Sequence, residues 1–87
     1  MEELIDKILE IHRLGCEIQK QVPTCGISDI PQWHVHGYKN FRRVADELNN
    51  GKYIIEDTGS GPFRYYYKFV HRGVLVFCMS DTREVPV

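Results

Sequence analysis

Phe63-Arg64-Tyr65-Tyr66-Tyr67-Lys68-Phe69-Val70-His71-Arg72-Gly73-Val74-Leu75-Val76-Phe77-Cys78-Met79-Ser80 is the stretch that decides the fold. Two runs rich in aromatic and β-branched residues, which suit a pleated and half-buried surface, flank Arg72-Gly73. Glycine in the second turn position supplies the positive φ that a two-residue hairpin turn needs. Pairing outward from the turn sets His71 opposite Val74, Phe69 opposite Val76, Tyr67 opposite Cys78 and Tyr65 opposite Ser80. Because side chains alternate with period two, the other face carries Val70 with Leu75, Lys68 with Phe77, Tyr66 with Met79 and Arg64 with Asp81. The first face, with Phe63, Tyr65, Tyr67, Phe69, Val74, Val76 and Cys78, is the expected core. The second mixes cations with Leu75, Phe77 and Met79 and has no evident cover.

Upstream, Leu4, Ile8, Ile11, Gly15, Ile18 and Val22 recur at spacings of four and three, with Ile5, Leu9 and Leu14 widening the stripe. This predicts an amphipathic helix over Glu2 to Gln21. Glu2, Glu3 and Asp6 suit its positive end, Lys20 its negative end, and Pro23 bars its continuation. Gly15 on the apolar stripe marks close approach to the sheet or a kink. A turn-rich connection from Pro23 to Pro31 leads into an expected strand, Gln32 to Tyr38, with His34, His36 and Tyr38 on one side and Trp33, Val35 and Gly37 on the other. Phe41, Val44, Ala45 and Leu48 keep a helical period that closes at Asn49-Asn50-Gly51, with Gly51 suited to the left-handed position past a helix end. Lys52 to Thr58 reads as a further strand, and Gly59-Ser60-Gly61-Pro62 as the loop into the hairpin. The tail from Asp81 to Val87 is expected to fray.

The order α-β-α-β-β-β predicts a single α+β domain over residues 1–87, with two helices on one face of a mostly antiparallel sheet of about four strands. Eighty-seven residues bury only a small core. Leaving Val70, Leu75, Phe77, Met79 and Tyr66 on an open face therefore calls for a partner or a second copy.

Composition narrows the function classes. A net charge of -1 builds in no general attraction to nucleic acid or anionic lipid. Cys16, Cys25 and Cys78 form no C-x-x-C pair, and with no export signal or apolar run long enough to span a bilayer they read as free thiols in a cytoplasmic protein. Gly59 to Pro62 feeds a strand where a phosphate-cradling loop would feed a helix, and no nucleophile motif occurs. His34-x-His36 puts two imidazoles on one face, but a zinc site needs at least three protein ligands, so neither a metal nor another cofactor is assigned. No catalytic residue emerges, and the chain is not expected to be an enzyme.

An acidic N-terminal helix, a strand such as Trp33-His34-Val35-His36-Gly37-Tyr38, a short helix over Asn40 to Leu48 and a closing hairpin from Tyr65 to Met79 give a layout that resembles the small orphan accessory proteins of bacteriophages and prophages. The resemblance covers size and layout over nearly the whole chain and transfers no functional residue. It implies a non-catalytic protein that binds a host factor, an anti-defence or anti-CRISPR inhibitor for instance. The expected partner-binding residues, read from the open face itself, are Arg64, Tyr66, Lys68, Phe77 and Met79, with Arg42 and Arg43 added from the second helix. That mix of Tyr, Phe, Met and Arg is enriched at protein interfaces. Homodimerisation through the open face is the structural rival. A second class is sequestration of a nucleotide or metal in a pocket lined by His34, His36 and Tyr38. A third is single-stranded nucleic-acid binding on tyrosines interleaved with cations.

Overall fold

The computed structural model describes residues 1–24 and 26–83. Cys25 and the last four residues of the expected fraying tail lie outside them. Along the chain run α1 (Glu2–Gln21), β1 (Gln32–His34), α2 (Tyr38–Asn49), β2 (Ile54–Asp57), β3 (Tyr65–His71) and β4 (Val74–Ser80). The predicted α+β order is observed. The four strands form one sheet in the order β1-β4-β3-β2, antiparallel except where β1 runs parallel to β4.

The hairpin has the predicted register from His71↔Val74 to Tyr65↔Ser80. Arg72 and Gly73 both take positive φ, 51° and 78°, as a type I′ turn requires. A non-glycine residue in that region is uncommon. Arg72 is also held by ion pairs to Glu2 at 3.5 Å and Asp6 at 2.8 Å, while His71 meets Glu2 at 2.6 Å. These contacts lash the start of α1 to the hairpin turn.

Both helices reach the same face of the sheet. Ile5 of α1 and Phe41, Val44 and Ala45 of α2 join Val35, Tyr67, Phe69, Val74, Val76 and Cys78 in one core. Phe41, Tyr53 and Tyr67 pack ring against ring, with Phe41 to Tyr53 centroids at 5.3 Å and Tyr53 to Tyr67 at 5.9 Å. Such pairs add to the hydrophobic term in tilted or edge-on geometry. Tyr38 and Tyr53 share a hydroxyl hydrogen bond of 2.6 Å. Burial, and then that bond, pushes Tyr53 up to about 12.

Three expectations are corrected. The hairpin core excludes Phe63, which is 61% exposed. β3 starts only at Tyr65, and Thr58 closes the preceding loop with its amide and hydroxyl both donating to the Arg64 carbonyl, leaving Phe63 beyond the sheet. Second, β1 stops at His34 because Gly37, at φ 84°, turns the chain into α2, which begins at Tyr38. Past α2 Gly51 takes the expected positive φ, 74°, and Asn50 before it is left-handed as well. Third, α1 buries only Ile5 fully; the helix rests on its Ile5–Leu9 flank, and the centre line of its apolar stripe faces out. Gly15 does mark a close approach, but to Ile27 of the connecting loop, 3.5 Å from where a Cβ would stand.

Candidate functional site: the open sheet face

Register alone lays out the face opposite the helices. One row crosses all four strands as His34, Phe77, Lys68 and Ile54; beside it lie Gln32, Leu75 and Val70 on one side and Met79, Tyr66 and Glu56 on the other. At its centre Phe77 is sandwiched by the neighbouring rings. His34 stacks on it at 4.6 Å and Tyr66 at 5.3 Å, with interplanar angles of 17° and 24°. Only 8% of Phe77 remains exposed, so the expectation that it offers contact surface is corrected. The exposed apolar residues are Val70 (63%) and Ile54 (62%), with Met79 (36%) across the central row from Val70.

The cations are engaged within the chain. The Lys68 ammonium lies 5.4 Å from the Tyr66 ring centroid and 3.3 Å from the Glu56 carboxylate. Desolvation raises the Tyr66 phenol, with Lys68 pulling the other way. Arg64 leaves the open face altogether, correcting its pairing with Asp81. Its guanidinium grips Asp57 through two bonds, of 2.7 and 2.9 Å, and lies 5.2 Å from the Tyr65 ring centroid. Asp57 and Tyr65 both belong to the helix-side register.

The Arg64 hydrogen bonds, then the Gly59 amide, lower Asp57 to about 2. A carboxylate whose folded pKa is depressed stabilises the fold above its unfolded value near 4, and that contribution is lost as pH falls. The expected result is a decline in urea midpoint between about pH 4 and pH 2 that flattens in Arg64→Gln, read from denaturation curves across that range.

The other expected site residues are dispersed. Arg42 and Arg43 lie on α2, on the far side of the sheet, so they do not join the open face. Arg43 instead borders a shallow recess with Met1, Leu4, Trp33 and His36. His34 and His36 come together, ring centroids 5.0 Å apart, but Tyr38 turns into the aromatic core against Tyr67, at 5.3 Å. The pocket of His34, His36 and Tyr38 is therefore not assembled, because the chain reverses at Gly37. Among the described residues no three His, Cys, Asp or Glu side chains converge as metal ligands would.

Two features had no signal in the pairing of the hairpin. His34 becomes part of the open face only because β1 adds in parallel beside β4, and Ile54 only because β2 pairs with β3. A groove of about 380 Å³ also runs between α1 and the 26–32 segment, lined by Ile8, Ile11, Gly15, Ile27, Ile30 and His34 among others. Inside it the His12 ring donates from Nε2 to the Ser28 carbonyl at 3.0 Å, with the Cys16 sulfur 3.6 Å away. That bond pins the loop to the helix.

The fold and this face together define an α+β module whose sheet is covered by helices on one side only. No protein-family model, curated protein or solved structure matches the chain. No described helix is long and apolar enough to cross a membrane.

Proposed function

We propose that the chain is a small non-catalytic binding protein, of the accessory kind that bacteriophages and prophages encode, which covers an apolar patch on a bacterial host protein with its open sheet face. The observation that carries this reading is the exposure of Ile54, Val70 and Met79 on a face that no described helix packs against, around the His34–Phe77–Tyr66 stack. Burying such aliphatic side chains is worth roughly 1.5–3 kcal/mol each. Stacked aromatics give a preorganised platform that loses little side-chain entropy on binding. Inhibition of an anti-defence kind would follow from occlusion. A protein partner is favoured over nucleic acid because Arg64 and Lys68 are paired with Asp57 and Glu56, so phosphates would have to displace carboxylates.

The test is a tagged pull-down from bacterial lysate, with and without nuclease, using the wild type and an Ile54→Lys, Val70→Asp double variant. Both positions are exposed, so the double variant keeps its circular dichroism and thermal midpoint. Expected is one stoichiometric protein that resists nuclease and is retained at least about tenfold less by the variant, a loss that needs only 1.4 kcal/mol. Equal capture by both would place the binding surface elsewhere, and capture abolished by nuclease would replace the protein reading with nucleic acid.

A further inference from the structure

The apolar stripe of α1 has a symmetry that its own fold uses only at Ile8, which packs against the core, while the other members of the stripe are exposed. Leu4, Ile8, Ile11, Leu14 and Ile18 are spaced four, three, three, four, a palindrome about Ile11. At about 100° per residue the same symmetry holds around the helix: Leu4 and Ile18 fall about 20° to either side of Ile11, and Ile8 and Leu14 about 60° to either side. Ile11 is 69% exposed, and Leu4, Leu14, Ile18 and the adjoining Val22 are exposed as well. The ion-paired arc of Glu10, Arg13 and Glu17 lies on the opposite side of the helix.

We infer that α1 is a dimerisation helix that packs antiparallel against α1 of a second copy, with the two-fold axis passing through Ile11. A two-fold interface is self-complementary, so if residue i meets j then j meets i. The palindrome satisfies this: Ile11 meets Ile11, Leu4 meets Ile18, and Leu14 meets Ile8 at the mouth of the groove. Each helix contributes five aliphatic side chains along roughly 21 Å, the scale of a small specific interface. The antiparallel sense also opposes the two helix dipoles. The open sheet faces stay free in this arrangement, so the dimer does not depend on the binding reading above.

Sedimentation equilibrium across the micromolar range tests it. The wild type is expected at twice the 10.2 kDa of one chain, with a thermal midpoint that rises with concentration. Ile11→Glu sets two carboxylates against each other on the axis and is expected to give a monomer with unchanged circular dichroism and a concentration-independent midpoint. The double variant Leu4→Glu, Ile18→Lys fixes the sense of pairing: antiparallel helices bring glutamate to lysine and remain dimeric, whereas parallel helices would bring like to like and dissociate. A monomeric wild type, including one that instead binds lipid vesicles through α1, would overturn the proposal. So would an Ile11→Glu variant that stays dimeric, or a dissociated double variant.

Discussion

Tyr67→Ala is expected to remove a large share of the stability of this fold. Tyr67 is fully buried at the centre of β3, where Tyr38, Tyr53 and Phe41 all pack against its ring, with centroids at 5.3, 5.9 and 6.3 Å. Its hydroxyl donates to the Thr82 carbonyl at 3.2 Å. Truncating a buried aromatic costs about 3–5 kcal/mol through lost transfer energy and the cavity left behind. A domain of this length has roughly 4–13 kcal/mol in all. The variant should therefore be largely unfolded in modest urea, with a much lower midpoint and an unchanged slope. Tyr67→Phe keeps the ring and gives up hydroxyl hydrogen bonding, a loss of about 1 kcal/mol. If Tyr67→Ala shifted the midpoint no more than Tyr67→Phe does, the aromatic cluster would not be what holds α2 to the sheet.

The second large effect falls on the open face. Phe77→Ser is expected to destabilise by about 3 kcal/mol or more, since it removes a buried ring and strands His34 and Tyr66 without their stacking partner. Substituting Val70 or Met79, in the neighbouring rows, should stay within about 0.5 kcal/mol, as exposed positions do. The contrast separates two roles that a pattern of hydrophobic residues cannot: Phe77 supports the platform from within, and Ile54, Val70 and Met79 present it. Thermal denaturation of the single variants reads the difference directly. A Phe77→Ser midpoint equal to that of Val70→Asp would mean that the stack does not close over the ring in solution.

Much of the architecture was legible along the chain for local reasons. The hairpin register followed from a turn that only a short list of residue pairs can make, and each pairing then fixed the next. Both helices showed in their periodicity, and α2 in its Asn50-Gly51 terminus. The ends of elements were less legible where a loop decides them: Gly37 shortens β1, and the Thr58–Arg64 closure delays β3 and leaves Phe63 outside. The candidate site was legible in part. Tyr66, Lys68 and Met79 sit where alternation puts them, but Arg64 turns to Asp57 across the loop, and Arg42 and Arg43 belong to the other layer.

What the sequence determined by itself was which residues pair and which alternate: the hairpin, the two amphipathic helices and an α+β domain with more apolar surface than its helices can cover. Those properties depend on neighbours a few residues apart or across one tight turn. The tertiary structure alone decided which apolar surface is left open. The position of β1 beside β4 brings His34 over Phe77 and closes it, and the seating of α1 on its Ile5–Leu9 flank turns Leu4, Ile11, Leu14 and Ile18 outward. Neither could be read from spacing, because a helical stripe wider than its docking site does not say which part the sheet will bury, and a three-residue edge strand carries no mark of the strand it will join.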